Sequence, residues 1–465
     1  MTRCLVRRAA LACLAVGSLG PGAAPAAAQH SRIEEGVRTS TLDNGLEVIV
    51  VEDRAVPLAT VLVAVRNGSF TQEPSDEGLA HLYEHLLFRT YDGDPRAFWQ
   101  TTAALGGSAN GTTSNEVVDY FIQVPSERAK DAVKVLAHLV RDAHFTDADL
   151  AAERPVVLDE LKRDQSDPAG SLARTVDRAL WGASWSRKDV GGDSASLAGI
   201  TVARLRDTWN RYYVPNNAAL IVTGDVNTDE IVREAAKQFG GWHRGANPFG
   251  AGDGGRIEPP AMRRAVVMGG PVQDVTILLA WQGPSVRRDG AATYAADALF
   301  AVFNAPTSPF QQRLVDSGLF RSVSGMYLTL EHVGPITIRG HTTPERAQDA
   351  LRALLDEVDR LDQLDGVTDD DLALAKKERD VADALVFELG AGMAPELASW
   401  WSSAGIDYYA GYGPRLDAQT PEDLKRFARD YVSGKPLVIG VLASPPVAGR
   451  LAQWLRSATT PGATR

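Results

Sequence analysis

Residues 78–88 read Gly78-Leu79-Ala80-His81-Leu82-Tyr83-Glu84-His85-Leu86-Leu87-Phe88. On a helix, positions i and i+4 share a face and i+3 lies beside them. His81 and His85 can therefore offer two imidazoles to one metal ion, with the Glu84 carboxylate next to it. A catalytic zinc takes three protein ligands and a water. It lowers the pKa of that water, and a nearby carboxylate can take the proton, which makes a nucleophile suited to a peptide carbonyl. The chain holds 8 histidines, so one pair at this spacing arises easily by chance. The pair with a glutamate inside it, set in an apolar helical run, does not. A third ligand must come from elsewhere. The stretch after Thr146 carries Glu153-Arg154-Pro155-Val156-Val157-Leu158-Asp159-Glu160. Glu153 and Glu160 are seven apart, on one helical face. Either can reach a metal, and position alone does not choose between them.

These residues need elements to position them. Residues 76–90 read as a helix, with Ala80, Leu82, Leu86 and Leu87 as its apolar contacts. Thr146-Asp147 is a good N-cap pair for a helix running through Glu160. Thr41–Val51 reads as a strand entered through the Asn44-Gly45 turn, Leu58–Val65 as a second strand, and Val117–Val124 as a third. Helices are expected from about Pro95 to Leu105, ending at Gly106-Gly107, and from Glu127 to Arg141. Ala218–Thr223 reads as a short buried strand.

Composition narrows the chemistry. The chain has 465 residues, 44% hydrophobic and 23% charged, with a net charge of −11 and no basic patch, which argues against a nucleic-acid partner. Residues 1–28 read as a secretory signal peptide: Arg3, Arg7 and Arg8, a short apolar run, then Ala26-Ala27-Ala28. No apolar stretch reaches membrane-spanning length, so a periplasmic or extracellular location is expected. Both cysteines, Cys4 and Cys13, fall in that leader. The remaining chain has no thiol for catalysis, disulfides or metal binding, so any metal site must use His, Asp or Glu.

The order of elements recurs. Ser126–Ala132 matches Pro344–Ala350, Thr146–Leu150 matches Thr368–Leu372, and Asp207–Val222 resembles Asp423–Val438, at an offset of about 215–220 residues. Three matches in one order indicate an internal duplication. The Gly- and Pro-rich shift near residues 245–261 reads as a linker. The expected domains are 29–245, a linker at 246–262, and 263–465, with the histidine stretch in the first domain alone.

His81-Leu82-Tyr83-Glu84-His85 is the H-x-x-E-H order of the inverzincins. With Glu160 following 75 residues after His85, it resembles the pitrilysin-type (M16) metallopeptidases, a family that includes mitochondrial processing peptidase and insulin-degrading enzyme. Asn44-Gly45, the run Gly106–Thr113 before Glu116 and Tyr120, and the duplicated halves fit as well. The resemblance covers nearly the whole chain after the leader and points to the shorter, mitochondrial-processing-peptidase-like subfamily. It implies a mixed α/β (α+β) fold of two homologous α/β-roll domains forming half of a clamshell. It also implies one zinc ion held by His81, His85 and Glu160, with Glu84 as general base. Glu153 would be a carboxylate behind the ligands that fixes their orientation. Asn110 would stand beside a peptide substrate that adds as a strand to a sheet edge; Asn110-Gly111 reads equally as a turn.

Members of the family also carry an Arg and a Tyr, seven apart, that hold the substrate carbonyl. Here Arg313 has Phe320 seven residues on, and the other alignment offers Leu314 and Arg321, so the pair is incomplete either way. The resemblance therefore implies a homodimer, or a heterodimer with an Arg/Tyr-bearing M16 subunit. The expected activity is hydrolysis of unfolded peptides by an exported zinc endopeptidase. The alternative is a low-activity or non-catalytic subunit of a two-chain peptidase.

Overall fold

The computed structural model describes residues 36–250, 257–388 and 392–459, with side chains over 36–250, 257–379 and 392–457. The leader at 1–28 and the centre of the expected linker lie outside these residues. Two mixed sheets carry the fold. The first contains β1 (Val37–Thr41), β2 (Glu47–Glu52), β3 (Leu58–Val65), β4 (Ser108–Thr113), β5 (Val118–Pro125) and β6 (Ala218–Gly224), in the order β1-β2-β6-β3-β5-β4. The second contains β7 (Arg264–Gly269), β8 (Val275–Gln282), β9 (Ser322–Tyr327), β10 (Pro335–Thr342) and β11 (Val438–Ala443), in the order β7-β11-β8-β10-β9. Without β1, the first order becomes the second under one-to-one substitution. Even the single parallel pairing recurs, β2 with β6 and β7 with β11. The duplication read in the sequence is thus a duplication of topology.

Helices of eight residues or more are numbered α1 (Leu79–Thr90), α2 (Ala97–Ala104), α3 (Ala129–Arg141), α4 (Asp147–Ser166), α5 (Pro168–Trp181), α6 (Val202–Tyr212), α7 (Thr228–Phe239), α8 (Val286–Asn304), α9 (Ala347–Asp359), α10 (Asp369–Glu388), α11 (Met393–Ser403), α12 (Pro421–Tyr431) and α13 (Pro445–Thr459). The repeat extends to their caps. Thr146 and Asp149 form a reciprocal capping box at α4, and Thr368 and Asp371 make the same bonds before α10. The long apolar strands are explained by cover on both faces. Val61, Val63 and Val65 of β3 share one core with α1 and α3; Leu62 and Ala64 share another with α11.

That second core joins the halves. Leu397, Ala398 and Trp401 of α11, from the second half, pack on the back of the first sheet. In return, Leu172, Val176 and Leu180 of α5 pack on Leu278, Ala280 and Leu442 of the second sheet. Burying one such leucine is worth about 1.5–3 kcal/mol, so this reciprocal cover is a major part of the fold's stability. Polar contacts reinforce it. Arg66 stacks 3.8 Å above the Trp401 ring and donates to Trp401 O. Lys188 donates to Val333 O at 2.6 Å. Glu116, only 3% exposed, accepts the backbone N–H groups of Glu331 and His332 at 2.7 and 2.9 Å, and pairs with His332 Nδ1 at 2.8 Å.

Two expectations shift. The helix expected over 76–90 begins at Leu79, because Gly78 is left-handed (φ 88°) and packs against Gly191 and Gly192. Asn110-Gly111 is not a turn; both lie inside β4, the edge strand of the first sheet. Replacing Glu116 by Ala strands two buried backbone donors where the halves meet. Chemical denaturation should show a loss of about 3 kcal/mol, with weaker protection of residues 328–334 in hydrogen exchange.

Candidate metal centre

Helix α1 is placed by an unusual N-terminal clamp. No side chain caps it at Gly78. Instead Gln72, buried under the helix, accepts the N–H groups of Gly78 and Ala80 at 3.1 Å each and donates to Ser186 O and Asp189 O. Leu82, Leu86 and Leu87 anchor its other face in the first core. Helix α4 packs alongside it and brings the two glutamates to the histidines.

The structure separates the positions of Glu153 and Glu160. His81, His85 and Glu160 each turn one ligand atom to a common point, with these atoms within 4.8 Å of one another. Glu160 Oε2 lies 3.3 Å from His85 Nε2 and 3.8 Å from His81 Nε2. Glu153 Oε1 instead meets the other nitrogen of His85, Nδ1, at 3.0 Å. A carboxylate at Nδ1 fixes the ring as Nδ1–H donor, which leaves the Nε2 lone pair for a metal. His85 Nε2 is buried and has no aligned hydrogen-bond partner. Two imidazoles, one carboxylate and an orphaned buried Nε2 suit zinc with an open fourth position. Among the described residues this is the one group of three His, Cys, Asp or Glu side chains that converges in this way.

Glu84 lies beside the cluster, 4% exposed, with Oε2 accepting from Thr113 Oγ1 at 2.7 Å. Burial raises its pKa; the Thr113 hydrogen bond and the His85 charge work against the rise. Burial and the neighbouring His85 push His81 down to about 4. Burial alone would lower His85 too, but its carboxylate partners Glu153 and Glu160 outweigh it and raise the ring to about 10. Burial would raise Glu160, and the two histidines pull it below the usual range.

Sequence reasoning missed several supports. Arg89, one turn after His85, forms ion pairs with Glu153 at 3.5 Å and Asp149 at 3.6 Å, so it backs the carboxylate that orients His85. Its i+4 spacing from His85 was the available signal. Thr113 reaches Glu84 only through strand register, which no local pattern reveals. Gly111 has a definite cause: a Cβ there would come within about 3 Å of Glu84 Cγ and the Phe88 ring. Asp119, a charge in an apolar strand, is fully buried, accepts from Thr112 at 2.6 Å, and is pushed by burial to about 7.

Asn110 sits on the edge strand, but on the opposite face from Gly111 and Thr113, because side chains alternate along a strand. Its backbone can pair with a peptide, while its side chain faces away from Glu84. Arg313 is committed elsewhere. Its guanidinium forks onto both oxygens of Glu357 and donates to Asp365 O at 3.1 Å, clamping the turn at 312–316 to α9. A substrate carbonyl would have to displace that pair. The other alignment fares no better: Leu314 is buried in the second core, and Arg321 is exposed and pairs with Asp274.

Two models of one peptidase family match the chain. The insulinase (peptidase family M16) model covers residues 47–190, and the peptidase M16 inactive domain model covers 199–379. Together they span more than half of the chain, which belongs to peptidase family M16. An uncharacterized zinc protease of Streptomyces coelicolor is 23% identical over 418 residues, 87% of this chain and 90% of the relative. One from Mycobacterium tuberculosis is 28% identical over 344 residues, 73% of this chain and 77% of the relative. Among solved structures, a putative M16-like peptidase from Alicyclobacillus acidocaldarius superposes with a TM-score of 0.77 at 21% identity, over 88% of this chain and 98% of that one. A protease from Helicobacter pylori gives 0.74 at 21% identity, over 88% and 99%. A peptidase M16 inactive domain from Pseudomonas fluorescens gives 0.73 at 20% identity, over 88% and 98%. At such identity these structures speak to the fold alone.

The two imidazoles shift in opposite senses, and so does their linkage to folding in metal-free protein. His85 is raised, so its contribution is complete below about pH 6.5 and is lost as pH climbs through about 10. His81 is lowered, so folding weakens as pH falls from about 6.5 towards 4. Imidazole NMR on metal-free protein should find His85 still protonated at pH 8 and His81 neutral at pH 5.5. Glu153→Gln should move the His85 titration down and leave that of His81 nearly in place.

Proposed function

We propose that the chain is an exported zinc-dependent endopeptidase that hydrolyses unfolded peptides. The observation that carries this reading is the convergence of His81, His85 and Glu160 beside a buried glutamate, within the stretch matched by the insulinase model. The relatives named zinc proteases support the metal's identity. His81 and His85, through Nε2, and Glu160 would hold the ion. When bound, zinc would acidify a water and polarise the peptide carbonyl.

The chain's own residues then have distinct tasks. Glu84, held by Thr113, takes the proton of the attacking water and delivers it to the leaving amine; its raised pKa suits both transfers. Glu153 keeps His85 in the tautomer that faces the ion, and Arg89 keeps Glu153 in place. The open edge of β4 receives the peptide backbone as an added strand, alongside Asn110, Gly111 and Thr112. The leader at 1–28 would deliver the protein to the periplasm or exterior, so its substrates would be peptides found there.

A second reading has its own support. With Leu314 buried, Arg321 paired to Asp274 and Arg313 paired to Glu357, neither alignment supplies an Arg/Tyr pair to a substrate carbonyl. Such donors are worth roughly 3–4 kcal/mol in a transition state. The chain would then be the zinc-bearing member of a two-chain peptidase, weakly active alone and completed by an Arg/Tyr-bearing M16 subunit.

Glu84→Gln should retain one zinc per chain by elemental analysis while cleavage falls by about 10²–10⁴-fold. A chelator should stop the wild type, and zinc should restore it. Cleavage by the variant at the wild-type rate would overturn the assignment. Adding an Arg/Tyr-bearing M16 subunit should raise the rate only under the second reading, and activity of the isolated chain that is high and insensitive to dilution excludes it.

A further inference from the structure

Glu77 stands immediately before Gly78 at the start of α1 and has no part in the metal centre. It is 6% exposed, and its Oε2 is buried without a hydrogen-bond partner. The segment 186–193 packs against it. There Asp189 is 4% exposed, with Oδ2 equally unpartnered. Asp193 caps the short helix Ser194–Gly199 through the N–H groups of Ala195 and Ser196, and it also hydrogen-bonds to the Glu77 carboxyl. Two carboxyl groups share a hydrogen bond only while one of them keeps its proton.

The backbone brings these groups together with little room. Gly78 (φ 88°) and Gly192 (φ 77°) are both left-handed and lie against each other; a Cβ on Gly192 would fall 2.5 Å from Glu77 O and from Gly78 Cα. Gln72 ties the same two segments, joining Gly78 and Ala80 to Ser186 and Asp189. The charges around the contact do not balance if every carboxyl is ionised. Glu77, Asp189 and Asp193 face two guanidiniums of α5: Arg174, 2.5 Å from Asp189 Oδ1, and Arg178. The neighbouring charges are engaged elsewhere. Arg204 of α6 pairs with Asp76, Arg187 with Glu73, and Lys188, with Glu116 and Asp177 near it, donates to Val333 O. One further positive charge is needed. Among the described residues these carboxylates do not converge as metal ligands do, so a proton supplies it. Burial, then the charges of Asp189 and Asp193, push Glu77 up to about 7, and Arg178 opposes the rise only in part. Burial would raise Asp193 as well, but the groups of Ser196 and Ala195 that bond to it hold it below the usual range, so the proton resides on Glu77.

We propose that Glu77 and Asp193 form a proton-dependent latch on the metal helix: with one proton between them they fasten the first turn of α1 to the segment 186–193, and without it two buried carboxylates repel across the Gly78–Gly192 contact. His81 belongs to that first turn, so the latch bears on the metal centre without touching it. Because Glu77 is raised above its usual 4.5, the latch is closed at acid pH and opens as pH climbs through about 7.

The test needs no substrate, so its outcome is separate from that of the peptidase reading. The full chain, supplied with zinc, is followed by hydrogen exchange from about pH 6 to about pH 8.5, read as protection factors, which remove the intrinsic pH dependence of exchange. In the wild type, protection of residues 79–82 and 186–193 should fall about tenfold over this range, while that of β3 and β5 changes little. Glu77→Gln keeps a neutral hydrogen-bonding side chain and should hold the closed level at both ends of the range. Asp193→Asn keeps the cap, removes the charge that Glu77 must answer, and should flatten the response as well. A wild type whose protection does not fall overturns the proposal, and so does a fall of equal size in Glu77→Gln. If Glu77→Gln fails to fold, Asp193→Asn decides the matter: an undiminished fall there overturns the latch. Calcium that restores protection at about pH 8.5 in the wild type but changes nothing in Glu77→Gln would make the cluster a cation site and overturn the shared proton.

Discussion

Ionisable groups buried together destabilise a fold unless each finds a partner, and the cluster between α1 and α4 is built around that constraint. Two imidazoles and the carboxylates of Glu84, Glu153 and Glu160 lie largely out of water. Each is answered locally. Glu153 stands between His85 and Arg89, Glu84 accepts from Thr113, and Glu160 bridges the two imidazoles. What remains without an aligned partner is the inner nitrogen of His85. A divalent cation at that point would satisfy it and relieve the crowding of like groups, so metal binding and folding reinforce one another here.

The helix that bears this cluster is held by parts of the chain distant in sequence. Gln72 seizes its first turn and ties it to the segment at 186–189. The sheet beneath it is covered on its far side by α11, which belongs to the second half. Among the described residues the second half bears no counterpart of the cluster. It nonetheless covers the far face of the sheet over which α1 lies and receives α5 in exchange. Duplication followed by divergence accounts for this arrangement: one half carries the histidine–glutamate cluster, and the two share the packing.

Much of the centre was legible in the chain. The histidines and Glu84 share a helix, so their relation follows from helical periodicity alone, and the cap at Thr146 announces α4. The resemblance to the M16 peptidases ranked Glu160 above Glu153, which spacing could not do. The repeat was legible because capping residues such as Thr146 with Asp149 and Thr368 with Asp371 are local signals that survive duplication. The face on which Asn110 lies was not legible, since it depends on where β4 begins.

The sequence by itself determined which residues can bind a metal and take up a proton, because those properties travel with residue type and with spacing inside one helix. It also determined that two similar units exist. Only the tertiary structure decided which glutamate converges with both imidazoles and which meets His85 Nδ1, because that depends on how α4 lies across α1. It alone joined Thr113 to Glu84, Arg89 to Glu153 and Trp99 to Phe88, and it committed Arg313 to Glu357. Thr113, Trp99 and Arg313 meet their partners through strand register or helix packing between separate elements. Arg89 shares a helix with His85, but its carboxylate arrives from α4. Contacts between elements are set by the packing of the whole core, which no stretch of neighbouring residues encodes.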